Sequence, residues 1–260
     1  MMTAADQMEK ITTWKKHLLP RTLPQIEGWE WAVHSSENAW PGGDYFDVLP
    51  LNPEQWLVFL ADASGHGGAA AVMAAMARMV LHSCPLSSGQ EREPFCPIHG
   101  LTQTPPIILS RLNRVLVDNS LDEQFMTAFL GVWKPLQARL DYVVAGQELP
   151  RCWRQARRHV EPLTAHAGLP LGISPNEVYP LSHVTLDPGD AVVLFTDGLV
   201  ETRDPQDRMF GVARVDALIQ DQASEGAAAI KAGLLNGLEE HLHGNAPQDD
   251  ITFLVLKRWD

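Results

Sequence analysis

Aspartates stand at the ends of the most apolar segments of this chain, and that placement limits what it can fold into. Trp56-Leu-Val-Phe-Leu-Ala61 runs straight into Asp62, Val193-Leu-Phe195 runs into Thr196-Asp197, and Asp249-Asp250 opens onto Ile251-Thr-Phe-Leu-Val-Leu256. Short unbroken apolar runs of this kind read as strands buried on both faces. Asp44 follows Gly42-Gly43 at the start of a further strand over 45–51. A carboxylate at the end of a core strand must be compensated, because burying an unpaired charge is very costly. No Lys or Arg lies within these segments. Hard oxygen donors gathered without a basic partner suit Mg²⁺ or Mn²⁺.

Each element alone also has a plainer reading. Asp197-Gly198 is a hairpin-turn signal, Gly65-His-Gly67 a tight turn, and Asp249-Asp250 a solvated pair. Periodicity places them at strand ends without showing that they meet.

The rest of the chain supplies the setting. Trp29-Glu-Trp-Ala-Val33 alternates as a half-buried strand does. An Ala- and Met-rich helix, apolar nearly all round and therefore buried, runs from Gly68 to His82. Residues 84–106 hold prolines at 85, 94, 97, 105 and 106 and read as a long loop insertion. Further helices fit 107–118, 211–222 and 225–242, and further strands fit 126–133, 139–144, 151–157, 179–186, 191–195 and 251–257. The strands come in adjacent groups instead of alternating with helices, which favours an α+β fold of antiparallel sheets over a doubly wound parallel one. No GxGxxG or GxxxxGK[ST] element supports a dinucleotide or P-loop site. Residues 1–28 form a helical lead-in, with Met8, Ile11 and Leu18 near helical spacing and Pro20 and Pro24 as stops. It reads equally as a terminal helix and as a linker or dimer helix. The remaining residues, 29–260, read as one domain.

Composition removes several classes. With 20 Lys+Arg against 32 Asp+Glu, the formal net charge of -12 disfavours both nucleic acid and anionic lipid as partners. No apolar run is long enough to span a bilayer, and the N-terminus lacks a secretory h-region, so a cytoplasmic address and no membrane partner are expected. Cysteines at 84, 96 and 152 have neither the number nor the spacing of a disulfide framework or a zinc site.

Several motifs in order resemble the metal-dependent serine/threonine phosphatases of the PP2C class, in their bacterial SpoIIE/RsbU-like branch. They are Leu18-Leu-Pro-Arg-Thr-Leu-Pro24, Gly42-Gly-Asp-Tyr-Phe-Asp47, Asp62-Ala-Ser-Gly-His-Gly67 and Met126-Thr-Ala-Phe129. Gly168-Leu-Pro-Leu-Gly172, Pro188-Gly-Asp190, Thr196-Asp-Gly-Leu-Val-Glu201, Phe210-Gly211 and Asp249-Asp-Ile-Thr252 follow. The resemblance covers about residues 18–257.

It implies a four-layer α/β/β/α sandwich, two antiparallel sheets flanked by helices, with two Mn²⁺ or Mg²⁺ ions between the sheets. Carried over position by position, Asp44 and Asp62 become the central ligands, with Asp62 bridging and the carbonyl of Ala63 completing one shell. Asp197 and Asp249 hold the second ion, Asp249 being preferred over Asp250. His66 becomes a candidate general acid, beside its reading as a turn histidine. Asp47 and Glu201 stand behind the ligands. The implied activity is hydrolysis of phosphoserine or phosphothreonine, and the implied substrate is a STAS-type anti-sigma-factor antagonist in a partner-switching pathway. A regulatory partner, or a homodimer through the N-terminal helix, is implied as well. One departure stands out: relatives often carry Asn-Ala-Gly-His after the middle strands, where this chain has Val144-Ala-Gly-Gln147. That departure keeps a second reading open, a catalytically weak or inactive phosphatase fold that binds partners. A hydrolase of small phosphorylated metabolites is the third.

Overall fold

The computed structural model describes residues 19–20, 22–36, 42–65, 67–83, 104–120 and 123–259. The N-terminal helix, His66 and residues 84–103 of the proline-rich loop lie outside the described residues.

The strands are β1 (Trp29–Ser36), β2 (Tyr45–Asn52), β3 (Gln55–Ala63), β4 (Met126–Lys134), β5 (Arg139–Ala145), β6 (Arg151–Arg154), β7 (His159–Pro162), β8 (Ser182–Thr185), β9 (Ala191–Phe195) and β10 (Ile251–Arg258). They form two five-stranded sheets, one in the order β1-β10-β9-β6-β7 and the other β2-β3-β4-β5-β8. All named neighbours pair antiparallel. Helices α1 (Gly68–His82) and α2 (Pro105–Asn119) cover the second sheet, and α4 (Val212–Gln222) and α5 (Ala227–Leu242) cover the first. The short α3 (Asp197–Glu201) follows β9 directly. This is the α+β fold of antiparallel sheets that the grouped strands led to, arranged as the sandwich that the resemblance implied.

Side-chain alternation builds the layers. In β3, Leu57, Phe59 and Ala61 face α1 and α2, while Val58 and Leu60 face the other sheet. In β9, Val193 and Phe195 meet α4 and α5, and Val192 and Leu194 meet the opposite sheet. Both faces are covered, which explains why the sequence shows unbroken apolar runs instead of alternation. Trp133 of β4 closes the inter-sheet core, lying edge-on to Trp29 and Trp31 of β1 at 5.0 and 5.4 Å between ring centroids. The lead-in residues Leu19, Leu23 and Ile26 pack against the same core.

Three local expectations differ from the structure. The strand read over 151–157 ends at Arg154, and the chain turns back into β7 through a tight turn in which Arg158 takes φ 50°. A left-handed arginine carries no glycine or asparagine signal, so the hairpin was not visible in the sequence. The strand read over 179–186 begins only at Ser182. Asp197-Gly198, a hairpin signal by composition, instead opens α3. No described helix is long and apolar enough to cross a membrane. Cys152 is buried, and burial pushes its thiol up to about 12, which leaves it without nucleophilic character.

Candidate metal centre

The antiparallel pairing of β2 and β3 sets the first half of the site. Tyr45 faces Ala61, and the Ala63 N–H donates to Gly43 O at 3.2 Å, so Asp44 and Asp62 are bracketed as opposite neighbours. Asp44 is buried. The two glycines before it are required by close approach. A Cβ on Gly43 would lie 2.1 Å from the Ala63 carbonyl oxygen and 2.5 Å from Asp62 Oδ1, and one on Gly42 would fall onto the Asp250 carboxylate.

The pairing of β9 and β10 sets the second half. Phe195 faces Phe253, and the Thr196 N–H donates to Thr252 O at 3.0 Å. Asp197 therefore leaves β9 beside the point where Asp249 and Asp250 enter β10. A Cβ on Gly198 would lie 1.9 Å from the Asp250 carbonyl oxygen and 3.6 Å from Asp249 Cβ. Gly198→Ala is accordingly expected to push the two strand ends apart and destabilise the fold by about 1–3 kcal/mol, measured as a lowered urea midpoint; an unchanged midpoint would contradict this close approach.

The halves meet across the cleft between the sheets. The Thr196 hydroxyl donates to Asp44 Oδ2 at 2.9 Å, with both side chains buried. The electrostatics report the same convergence. Asp62 is pushed up to about 9, first by burial and then by the charges of Asp44, Asp197, Asp249 and Asp250. Asp197 is raised by burial and by Glu201, Asp249 and Glu148, against the opposing pull of a hydrogen bond from the Gly198 N–H. The sequence-expected carboxylates from four separate strand ends are thus neighbours, acting on Asp62 from both sheets. Their donor chemistry, carboxylate oxygens with the Ala63 carbonyl beside them, fits a hard divalent cation. Among the described residues, no group of three or more His, Cys, Asp or Glu side chains stands in ligand geometry.

Asp249 and Asp250 divide the last position. Asp249 is exposed and accepts from the Asp250 N–H at 2.8 Å, whereas Asp250 is buried behind it. Asp47 is engaged elsewhere: it accepts from the Tyr45 hydroxyl at 2.5 Å, from Arg78 at 3.3 Å and from the Val48 N–H at 3.0 Å, and His82 Nε2 lies 2.7 Å away. Its carboxylate is a tie between β2 and α1. Glu201 closes α3, where its charge bears on Asp197.

Residues that the sequence did not single out as part of this centre complete it. Besides Thr196, the buried Gln147 accepts from the Thr127 hydroxyl at 2.8 Å and donates through Nε2 to Phe195 O at 2.9 Å. Thr127 is the register partner of Asp62. The glutamine was visible in the sequence only as a departure from a motif, and Thr127 and Thr196 only as members of two motifs, with no role assigned to either.

Comparison with known proteins agrees with this architecture. The family described as "Stage II sporulation protein E (SpoIIE)" matches residues 52–259. Protein IcfG of Synechocystis is 23% identical over 97% of this chain, which spans 41% of that protein. Phosphoserine phosphatase RsbU of Bacillus subtilis is 27% identical over 97% of this chain and 70% of its own length. Among solved structures, the SiaA-PP2C domain of Pseudomonas aeruginosa superposes with a TM-score of 0.76 at 21% identity, covering 98% of this chain and 96% of that one. RsbX in complex with magnesium gives a TM-score of 0.65 at 15% identity over 91% of this chain and 98% of that one. The catalytic domain of the phosphatase PstP with two manganese ions gives 0.59 at 16%, over 89% and 98%.

Proposed function

The chain belongs to the SpoIIE family, and from that premise we propose that it is a metal-dependent phosphoprotein phosphatase hydrolysing phosphoserine or phosphothreonine. The observation that carries this reading is the convergence on Asp62 of carboxylates from both sheets. Such a cluster is costly by itself and favourable around divalent cations. In this reading Asp44, Asp62, Asp197 and Asp249 hold two Mn²⁺ or Mg²⁺ ions, with the Ala63 carbonyl, lying under Gly43, as a further donor. RsbX and PstP, of the same fold, have been solved with magnesium and with manganese. Bound there, the ions supply Lewis acidity toward the phosphoryl oxygens and lower the pKa of water at neutral pH.

The chain's own residues do the rest. Asp62, on which the charges of Asp44, Asp197, Asp249 and Asp250 all bear, is the proposed shared ligand. Thr196 holds one oxygen of Asp44 in place. The exposed Asp249 stands at the solvent side, where a phosphorylated side chain enters. His66 is retained as the proposed proton donor to the leaving serine oxygen, since its pKa range suits that task. The similarity to a phosphoserine phosphatase supports the choice of a phosphorylated hydroxyl residue as substrate. A STAS-type anti-sigma antagonist within a partner-switching pathway is the proposed partner, carried by the resemblance of the motifs. Removal of a phosphate there would delete a charge-assisted contact and change the antagonist's partner.

Gln147, where relatives often carry histidine, favours a second reading, a phosphatase fold that docks phosphoproteins with little turnover. Phosphate release from a phosphorylated STAS protein and from an aryl phosphate, with Mn²⁺ and with chelator, separates the readings. Mn²⁺-dependent release that favours the folded phosphoprotein is the expected result. Binding of the phosphoprotein without release would establish the docking module. Equal turnover of small phosphate esters would favour a metabolite hydrolase.

A further inference from the structure

Gln147 lies two residues beyond the end of β5, a strand of the second sheet, in a segment whose backbone is pinned. The Gly146 N–H donates to Gly168 O and the Gly168 N–H to Val144 O, both at 2.9 Å. From that fixed point its side chain crosses the inter-sheet cleft. Only the NH₂ end of an amide can face the Phe195 carbonyl, so the oxygen end must face Thr127, whose hydroxyl is its donor. Both ends are therefore satisfied, and each partner stands close to a carboxylate of the candidate centre, Thr127 across the β3–β4 ladder and Phe195 along its own segment. Thr127 sits opposite Asp62, with its hydroxyl 3.5 Å from the Asp62 backbone oxygen, and Phe195 lies two residues before Asp197.

We propose that Gln147 is a positioning residue for the centre: its amide, anchored by Thr127, sets the gap between the strand end that carries Asp62 and the strand end that leads into Asp197. The inference rests on the reading of this centre as a divalent-metal site. Like charges on the two strand ends repel, and Asp197 acts on Asp62 across the cleft. A hydrogen-bonded strut opposes that repulsion and keeps the carboxylates at a separation that shared ions can span. Thr196 works beside it, tying the next residue of the same segment to Asp44. Two ties therefore land on consecutive positions immediately before Asp197. An amide suits the role better than an ionisable group, since it donates and accepts at once and adds no charge to an acidic cleft.

The test is Mn²⁺ affinity by calorimetry on the full chain, read beside the melting temperature in chelator. Gln147→Met keeps the length and removes both hydrogen bonds. Thr127→Val removes the anchoring hydroxyl while keeping the shape, and Thr127→Ser restores it. Losing an outer partner of this kind is expected to weaken Mn²⁺ binding about 10- to 100-fold in Gln147→Met and in Thr127→Val. Thr127→Ser should bind like the wild type. The double variant Gln147→Met/Thr127→Val should bind no more weakly than the poorer single, because both changes remove one strut. Wild-type affinity in Gln147→Met, with binding lost in Asp62→Asn, would overturn the inference and leave the metal reading standing; so would a lowered melting temperature with affinity unchanged, which is the mark of a brace only. No Mn²⁺ binding by the wild type would overturn the metal reading, and this inference with it. Should Gln147→Met not fold, the Thr127→Val and Thr127→Ser pair decides alone.

Discussion

Asp62→Asn is expected to abolish Mn²⁺-dependent phosphate release, beyond the about 10- to 100-fold loss typical of an outer partner, and yet to stabilise the metal-free protein at pH 8. Both effects have one cause. Asp62 is surrounded by Asp44, Asp197, Asp249 and Asp250, and burial and their charges push its carboxyl up to about 9. A folded-state pKa above the unfolded value means that the folded chain holds a proton that the unfolded chain has released. Its stabilising contribution is full below about pH 4, the unfolded range, and is lost as pH rises toward 9. At pH 8 most of that stability is gone in the wild type, whereas asparagine has no proton to lose. Each kcal/mol of relieved repulsion raises Tm by about 2–4 °C for a chain of this size. In chelator, Asp62→Asn should therefore melt above the wild type at pH 8, and its Tm should change less between pH 5 and 8. In Mn²⁺ the order should reverse, because only the wild type gains binding energy. A variant that melts below the wild type in chelator at pH 8 would contradict the clustering of acids around this residue. Retained turnover would remove Asp62 from the proposed site.

Trp133→Ala should be among the most damaging single changes in the core, at about 3–5 kcal/mol. The indole is fully buried where β4 meets β1, edge-on to Trp29 and Trp31. Removing it leaves a cavity between two sheets, whose pleated backbones cannot collapse inward without breaking their ladders. It also deletes two aromatic contacts, each worth about 0.5–1.5 kcal/mol beyond the buried area. At about 2–4 °C per kcal/mol, Tm should fall by roughly 6–20 °C. Trp133→Phe should cost much less. It retains ring packing and also removes an indole N–H that is buried without a hydrogen-bond partner. Denaturant unfolding of both variants checks the pair, and equal losses would show that packing between the sheets is not what the tryptophan provides.

The aspartate pattern was legible because burial leaves a compositional mark. Runs such as 56–61 and 251–256 are apolar without alternation only when both faces of a strand are covered, and an acid at the end of such a run stands out. The Gly42-Gly43 pair was legible too, although only as the residues that precede a strand. Its actual reason is steric, since the Ala63 carbonyl and the Asp250 carboxylate occupy the space a side chain would need. Asp197-Gly198 was misleading. The dipeptide favours a tight hairpin locally, but the packing of Gly198 against the Asp250 backbone makes it the start of α3.

By itself, then, the sequence determined the α+β class, most of the strands and the acids at their ends, because these follow from side-chain period and burial along a single segment. Only the tertiary structure decided which ends meet. Asp44 and Asp62 come from one sheet, Asp197, Asp249 and Asp250 from the other, and register and sheet order, not local composition, bring them to one cleft. The residues that join the halves, Thr196 to Asp44 and Gln147 between Thr127 and Phe195, are ordinary polar side chains whose partners lie far away in the chain. A hydrogen bond between remote segments leaves no periodic trace in either of them, so its existence depends on the packing of the two sheets.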